Sequence, residues 1–227
     1  KQTNKAVIIA TLYKKPVYVP EEVKILKKLK NEPGIAGYID HFQITSDTHY
    51  LIIEYFGSMT LKKFLSSFGD LSEKHIHKIT SQLLSTIKVC TSLNILHKNI
   101  KSSCVLIDIS SLKIKLTNFG FACFYKNNEQ LTSKLWYDIA PPEYFIQKSY
   151  TANGLNVWCL GLLLYKMLFE KNAFETIHDI MFSPCKISTY SYGSTELKEL
   201  ILRCLDKSCK TRITLQELTL HSWITKK

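Results

Sequence analysis

Three short segments carry the polar residues of this chain that could do chemistry. They are His-Lys-Asn at 97–99, the single Cys104, and Asn-Phe-Gly at 118–120. The Asn99 amide does not ionise near neutral pH, so it cannot act as a general base. Asn118 offers one neutral carbonyl oxygen and Cys104 a soft sulfur, whereas Mg²⁺ favours a shell of hard oxygen ligands. These residue types therefore predict weak proton transfer and weak Mg²⁺ binding.

The order and spacing of these residues resemble the catalytic and metal-binding loops of the protein kinase superfamily, serine/threonine type. The family pattern is HRD, then Asn five residues after its Asp, then DFG, where this chain has Asn99, Cys104 and Asn118. In the family, the first Asp accepts the proton of the substrate hydroxyl, and the Asn and second Asp hold Mg²⁺. The resemblance therefore implies a kinase fold with degenerate motifs, a pseudokinase. Lys101 matches a family lysine that could still contact a phosphate.

Upstream residues resemble the nucleotide site of the same family. Segment 6–10 resembles the end of the V-A-I-K strand, which puts Ile8 where an alanine faces the adenine and Ala10 where a lysine pairs with phosphate. Both changes oppose ATP binding, although Lys14 or Lys15 could replace the missing lysine. The other positions implied by the resemblance are Glu22, the acid that normally pairs with that lysine, Ile53 as gatekeeper, Glu54, Phe56 and Leu106. The alternative for 50–57 is a buried strand of any α/β domain.

Several further positions would hold the fold together if the resemblance is correct. Segment 140–143 resembles the APE motif, and Arg212 occupies the position of the arginine that pairs with its glutamate. We therefore expect Glu143 and Arg212 to be in contact. The resemblance also implies that Leu26, Ile39, His97 and Phe119 stack as a spine between two lobes, with Gly120 completing the DFG-like motif. Within the family, Pim-like members of the calcium/calmodulin-kinase group are the most similar.

The fold implied by this resemblance is α+β and bilobal. We expect residues 1–56 to form a partial kinase N-lobe with the hinge, and residues 57–227 a mainly helical C-lobe, together one domain. Nothing before Ala6 can supply the strands of a glycine-rich loop, so the N-lobe is expected to be truncated, and whether upstream residues exist stays open. Helical spacing predicts a helix capped by Ser72, a buried helix over 156–169, and amphipathic helices over 196–205 and 215–220.

Composition narrows the cellular setting. The net charge of +11 suggests a nucleic-acid-binding module as one alternative, but the lysines are scattered, which favours solvated helix faces. The seven cysteines include no C-x-x-C pair, which is typical of reduced thiols. The most apolar stretch, 157–169, is too short for a membrane segment and contains Lys166. We expect an intracellular protein, cytoplasmic or nuclear or both, with no membrane segment.

Our hypothesis from the sequence is a catalytically impaired kinase-like protein. It would act as a scaffold, decoy or allosteric regulator, with protein partners such as active kinases or their substrates, and no cofactor is expected. The alternative is a weakly active or atypical serine/threonine kinase, which would use ATP and Mg²⁺ weakly. Segment 118–143, with Thr132, Ser133 and Tyr137, is either a phosphorylation switch or an ordinary surface loop.

Overall fold

The computed structural model describes residues 7–14, 21–45, 48–56, 59–69, 71–188 and 191–226, and only the backbone of residues 7–14, 44, 48 and 49. Its smaller lobe combines an antiparallel sheet with a helix. The strands are β1 (Val7–Lys14), β2 (Tyr38–Thr45) and β3 (Thr48–Glu54), in the order β1-β3-β2, and the helix is α1 (Glu21–Lys28). The strand that the sequence analysis ends at Ala10 continues to Lys14, because its later residues also pair with β3.

Helix α1 has the charge distribution that favours a helix at this place. Two acids, Glu21 and Glu22, lie in its first turn, and Lys27 and Lys28 lie in its last turn. This arrangement opposes the helix dipole at both ends. The buried face of the helix, which includes Leu26, packs into the core. A proline suits the first position of a helix, but Pro20, which directly precedes Glu21, lies outside the described residues.

The larger lobe is mainly helical. Its core helix, α5 (Ala152–Phe169), is apolar nearly all round and packs against α3 (Glu73–Ser92) and α7 (Thr195–Cys204). The Thr151 side chain caps it by accepting a hydrogen bond from Gly154 N. The helix therefore begins several residues before the predicted start at 156. The helices of this lobe are α2 (Leu61–Phe68), α3 (Glu73–Ser92), α4 (Pro142–Gln147), α5 (Ala152–Phe169), α6 (Ile177–Phe182), α7 (Thr195–Cys204), α8 (Leu215–Leu220) and α9 (Ser222–Thr225).

Close packing at α5 depends on a glycine. A Cβ atom added at Gly161 would lie 2.6 Å from the Cβ of Cys204 on α7. By length and composition alone α5 would also suit a membrane span, but 72% of the segment is buried inside this fold. Because α5 is buried against other helices of the fold, such as the amphipathic α7, its sequence is apolar on nearly every face. The predicted cap of α3 is present, since Ser72 Oγ accepts a hydrogen bond from His75 N.

Short strands fix the loops that carry the polar residues. They are β4 (Met59–Thr60), β5 (Ile95–Leu96), β6 (Val105–Ile107), β7 (Ile114–Leu116) and β8 (Cys123–Phe124). They form one sheet in the order β4-β6-β7 and a separate β5-β8 pair. Loop 97–104 lies between β5 and β6, and loop 117–122 lies between β7 and β8. The two loops are therefore held side by side by strands that pair around them.

Backbone hydrogen bonds join the two lobes at the end of β7. Leu116 O accepts from Ala36 N at 2.9 Å, and Leu116 N donates to Gly34 O at 2.8 Å. Beside them, Lys115 Nζ lies 2.6 Å from Glu54 Oε2 at the end of β3. The end of the smaller lobe's sheet is thus bonded to the strand that leads into loop 117–122. The predicted division at residues 56 and 57 stays a prediction.

Candidate functional site

His97 organises the first polar loop from inside the protein. It is 2% exposed, its Nε2 lies 3.0 Å from Thr117 O, and its Nδ1 accepts a hydrogen bond from Asn99 N at 3.2 Å. Burial lowers the pKa of His97 to about 4, so the ring is neutral at pH 7. Because Nδ1 accepts, Nε2 carries the proton and donates to Thr117 O. The ring therefore ties the two loops together without a charge.

The His97 ring also packs against the second loop. Its centroid is 4.6 Å from that of Phe119, and the rings meet edge to face at 73°. Phe119 is 1% exposed, and Leu26 of α1 belongs to the same buried core. Three residues of the expected spine are thus buried in one core. Gly120, which follows Phe119, is exposed.

Ile39 does not belong to that buried set, and its predicted place in the spine is wrong. Its side chain is 40% exposed, whereas the preceding Tyr38 is 9% exposed. Successive side chains of a strand face opposite sides of the sheet, so an alignment error of one residue exchanges the inside for the outside. The pairing with β3 also shifts between Tyr38 and Asp40. Tyr38 therefore holds the interior position that the sequence analysis gives to Ile39.

Asn99 presents a buried neutral acceptor. The residue is 4% exposed, and its Oδ1 has no hydrogen-bond partner among the residues that the structure describes. A buried carbonyl oxygen without a partner costs free energy, so the site favours a ligand that donates a hydrogen bond to it. The amide can accept a hydrogen bond from a hydroxyl group. It cannot take the proton.

Cys104 and Asn118, the predicted degenerate metal positions, contact each other. Asn118 Nδ2 lies 3.8 Å from Cys104 Sγ, and Cys104 is 1% exposed. Burial raises the pKa of the Cys104 thiol, so it stays protonated at neutral pH. In the described ranges, no group of three or more His, Cys, Asp and Glu residues is placed to hold a metal ion. A protonated thiol beside a neutral amide does not fit Mg²⁺.

Lys101 is engaged by a residue that the sequence motifs do not indicate. Its Nζ lies 3.0 Å from Asp138 Oδ2, with the two side chains 32% and 44% exposed. Asp138 precedes segment 140–143, so the ion pair joins the first polar loop to the segment before α4. The contact uses the lysine that the sequence analysis assigns to a phosphate. In the sequence, the one sign of this ion pair is that Asp138 is an acid close to segment 140–143.

Glu22 is a buried acid in the interior of the site. It is 6% exposed, and its Oε2 has no hydrogen-bond partner among the described residues. The Phe119 backbone N–H donates a hydrogen bond to its carboxylate, but burial dominates and raises the pKa of Glu22 to about 7. The resemblance pairs Glu22 with a lysine whose position Ala10 occupies, and the Phe119 backbone group is the hydrogen-bond partner that the described residues supply instead.

The remaining predicted nucleotide positions divide between the sheet and the lobe junction. The backbones of Ile8 and Ala10 lie in β1 opposite Ile53 and Leu51, while their side chains and the whole of Lys15 lie outside the described residues. Ile53 is 7% exposed and Leu106 in β6 is half-buried.

Glu54 and Phe56 contact the same lysine. Glu54 Oε2 lies 2.6 Å from Lys115 Nζ and accepts a hydrogen bond from Gly37 N at 3.3 Å. The ring centroid of Phe56 is 5.4 Å from the same Nζ. Both side chains therefore face the junction between the lobes. Their predicted roles in nucleotide binding would have to come from their backbone groups.

The expected contact between Glu143 and Arg212 is present. Arg212 Nη1 and Nη2 donate to Glu143 Oε1 and Oε2 at 2.8 and 2.7 Å, and both residues are 5% exposed. Arg212 Nε also donates to Asp206 O at 3.0 Å, and the guanidinium lies 5.0 Å from the Trp158 ring centroid. This bidentate pair joins α4 to the segment before α8.

The three predicted regulatory residues differ in their surroundings. Ser133 Oγ is 2.6 Å from Tyr150 Oη and accepts a hydrogen bond from Lys98 Nζ at 3.4 Å. Thr132 is exposed, and Tyr137 is 60% exposed. Nearby, Trp136 packs edge to face on Phe121 of the second loop, with centroids 5.8 Å apart. The sequence analysis does not identify this aromatic contact, because it joins two loops far apart in the chain.

A cavity of about 310 Å³ lies beside the first polar loop. Residues 100–103 form one wall, α5 forms another, and the segment before α6 closes the third side. Its charged lining residues among those described are Lys62, Lys101, Asp138, Lys166 and Glu175.

Comparison with known proteins identifies the family of this chain. The family model described as "Protein kinase domain" matches residues 2–224. The chain belongs to the protein kinase family. Its α+β architecture is that of a kinase domain, and the motif positions discussed above can be read in kinase terms.

The relatives of this kinase domain include serine/threonine kinases from several groups. It is 32% identical to the serine/threonine-protein kinase SIK2 of Gallus gallus over 211 residues, which cover 89% of this chain and 26% of that protein. It is 28% identical to the serine/threonine-protein kinase pim-2 of Danio rerio over 214 residues, 91% of this chain and 68% of that protein. The chain thus spans about a quarter of the length of the SIK relatives. Similarity to Pim-type kinases is confirmed, but the expectation that they are the most similar members is not, because the SIK relatives have higher identity.

Kinases of this family use ATP and Mg²⁺ to transfer phosphate to protein hydroxyls. Family membership therefore does not support the expectation that the chain uses no cofactor. The sequence analysis predicts that Asn99, Cys104 and Asn118 occupy the positions of the family's base and metal ligands.

Proposed function

We propose that this kinase domain is a pseudokinase, which binds protein partners and transfers phosphate poorly or not at all. The observation that carries the proposal is the Asn99 amide, buried at the position of the catalytic base with a carbonyl oxygen that has no partner among the described residues. Such a group can bind a substrate hydroxyl, but it cannot remove its proton. Loss of a general base alone lowers a rate by about 10²- to 10⁴-fold.

The metal position supports the same proposal. Mg²⁺ neutralises charge on the transferred phosphate in active kinases and depends on hard oxygen ligands. Cys104 is buried with its thiol pKa raised, and its near neighbour Asn118 is uncharged. ATP without a bound Mg²⁺ would bind the domain weakly. Ala10 in β1, at the position where the resemblance places a lysine, would remove one further contact with the phosphates. Weak nucleotide binding is therefore part of the proposal.

A domain that holds a substrate hydroxyl without reacting would act as a decoy or scaffold. Its proposed partners are intracellular protein segments of the kind that active kinases bind. The buried Glu143–Arg212 pair and the His97–Phe119 contact hold the larger lobe together, so this lobe can present defined surfaces to a partner. Phosphorylation of Thr132, Ser133 or Tyr137 is the proposed means of regulating this surface, and at Ser133 it would add charge beside Lys98.

The test is to restore the two carboxylates and measure phosphate transfer. Wild type, Asn99→Asp, Asn118→Asp and the double variant would be incubated with ATP and Mg²⁺ and a generic serine/threonine substrate. Asn128→Asp is the control, because it adds the same charge at an exposed position away from both loops. We expect activity only in the double variant, since base and metal ligand act as a unit. Wild-type activity that neither substitution changes would contradict the proposal.

The second candidate is an active serine/threonine kinase of unusual chemistry. Its support is the identity of about 30% to proteins named as serine/threonine kinases. That reading predicts a wild-type rate above that of a Lys101→Met variant, because Lys101 would then contact the phosphate. A thermal-shift titration with ATP separates the candidates further: stabilisation that requires Mg²⁺ favours the enzyme, because only a ligand of the folded state raises the melting temperature.

A further inference from the structure

The cavity beside loop 97–104 contains a cation that has no ion-pair partner among the residues that the structure describes. Lys166 is the only charged residue of α5, where it lies half-buried in the last turn. Its Nζ donates to Asn172 Oδ1 at 3.1 Å, a neutral acceptor. No carboxylate within the described ranges forms an ion pair with it. The end of a helix favours a cation, but a partly desolvated ammonium also favours a nearby anion.

The other charged residues that line the cavity do not neutralise the positive charge of Lys166. Lys101 and Asp138 neutralise each other across a 3.0 Å contact. Glu175 is exposed at the edge, and Lys62 of α2 is an exposed cation that offsets it. Lys166 thus remains the uncompensated charge of the lining. The cavity volume, about 310 Å³, is enough for a side chain of a bound peptide but small for a whole folded element.

Position connects this cavity to the site. One wall consists of residues 100–103, which directly follow Asn99 in the same loop. A protein segment that places a hydroxyl at Asn99 would therefore pass beside the opening. The hydroxyl of Ser103, also in the lining, adds a hydrogen-bond donor next to the cations.

We propose that this cavity receives a carboxylate side chain of an acidic protein segment bound across loop 97–104, with Lys166 as its counter-ion. The inference rests on the proposed function, because it names the chemistry of the partner that the domain would hold. An Asp- or Glu-rich segment has the charge opposite to that of Lys166, and the cavity is large enough for one of its carboxylate side chains.

The test is binding of a fluorescent peptide with Asp and Glu residues around one serine, measured by polarisation. Matched peptides carry Asn and Gln, or Lys and Arg, at the acidic positions, and a third carries phosphoserine. The salt concentration is kept near 0.15 M, because its Debye length of about 8 Å screens distant attraction by the basic surface. We expect measurable binding of the Asp and Glu peptide alone.

The variants are Lys166→Gln, Lys166→Arg and the control Lys88→Gln, which removes the same charge from an exposed position of α3. We expect about tenfold weaker binding for Lys166→Gln, as for loss of one charge-assisted hydrogen bond, near wild-type binding for Lys166→Arg, and less than about twofold change for Lys88→Gln. Melting temperatures of all variants check that the fold is intact.

Three results would overturn the inference. They are no binding of the acidic peptide, equal weakening by Lys88→Gln and Lys166→Gln, and binding of the phosphoserine peptide only. The kinase assay of the restored variants tests the proposed function separately. Peptide binding that depends on Lys166 in a protein with full wild-type kinase activity would reject the pseudokinase proposal and keep the acidic-segment site.

Discussion

Two glutamates are buried to nearly the same degree in this domain, yet their surroundings differ. Glu143 is 5% exposed and Glu22 is 6% exposed. Glu143 receives two hydrogen bonds from the Arg212 guanidinium. Glu22 receives one from the Phe119 backbone, and its second oxygen has no partner among the described residues. One acid is a completed ion pair, and the other is a carboxylate without a described cation.

The difference shows which interactions the fold requires. An acid buried with its cation stays charged, because the pair and its hydrogen bonds replace water. An acid buried without a cation can become neutral by binding a proton, and the pKa of about 7 for Glu22 places that change near physiological pH. The larger lobe thus depends on its ion pair. At Glu22, where no described cation is in contact, a proton can neutralise the carboxylate in place of a cation.

The strongest test of this comparison removes the cation of the completed pair. We expect Arg212→Ala to lower the free energy of unfolding by about 3–5 kcal/mol, because it leaves the Glu143 carboxylate buried and unpaired. Arg212→Lys should recover only part of the loss, since an ammonium cannot make the bidentate contact. Urea unfolding followed by circular dichroism measures both. A loss below about 1 kcal/mol would mean that Glu143 finds another partner or water.

The second test removes the acid that has no described cation. A carboxyl group with a folded-state pKa of about 7, above the ordinary glutamate value of 4.5, contributes stability below pH 4.5 that is lost as the pH rises to about 7. Glu22→Gln keeps an acceptor for Phe119 N–H and cannot ionise. We expect the variant to equal wild type at pH 4 and to be more stable at pH 8, by up to about 3 kcal/mol.

Urea unfolding at several pH values between 4 and 8 gives the wild-type slope directly. Glu175→Gln is the control, because it removes an exposed acid. Its stability difference from wild type should change little over the same range. A Glu22→Gln variant that is less stable than wild type at pH 8 would show that Glu22 is charged and has a cation partner in the folded protein.

Contiguous motifs made part of this site predictable from sequence. Asn99 lies two residues after His97, and Asn118 directly precedes Phe119-Gly120. Because these neighbours identify the two positions, the prediction that they carry no acid does not depend on the rest of the alignment. The Glu143–Arg212 contact is also predictable, because each residue lies in a recognisable motif. In both cases, local sequence determines the position of the side chain.

The parts that sequence analysis missed depend on contacts between distant segments. The interior position is predicted at Ile39 but is held by Tyr38, because the register of a strand becomes known only when its pairing with the partner strand is known. Asp138 and Lys101 meet only through the folding of segment 131–143 over the first loop. The isolated charge of Lys166 is visible in the sequence, but its nearest acceptor, Asn172, becomes known only from the turn that follows α5.

An intermediate case lies at the junction of the lobes. The pair between Lys115 and Glu54 has an N–O distance of 2.6 Å, with the side chains 15% and 35% exposed. We expect Lys115→Gln to lower the free energy of unfolding by about 1 kcal/mol, between the values for buried and exposed pairs. A double-mutant cycle with Glu54→Gln isolates the interaction from other contacts of Glu54. A coupling energy near zero would place this pair with the exposed ones.

The smallest expected effect comes from an arginine in an exposed pair. Arg203 Nη1 lies 3.7 Å from Glu199 Oε1 on α7, and the side chains are 45% and 55% exposed. Because water already solvates both groups, we expect Arg203→Ala to cost only about 0.3–0.5 kcal/mol in the same urea experiment. The substitution is chemically identical to Arg212→Ala, so the difference between the two measures what burial of the pair adds, together with the contacts of Arg212 to Asp206 and Trp158. If both variants lost equally little, burial of Glu143 would not be the reason that the pair matters, and the contrast with Glu22 would lose its physical basis.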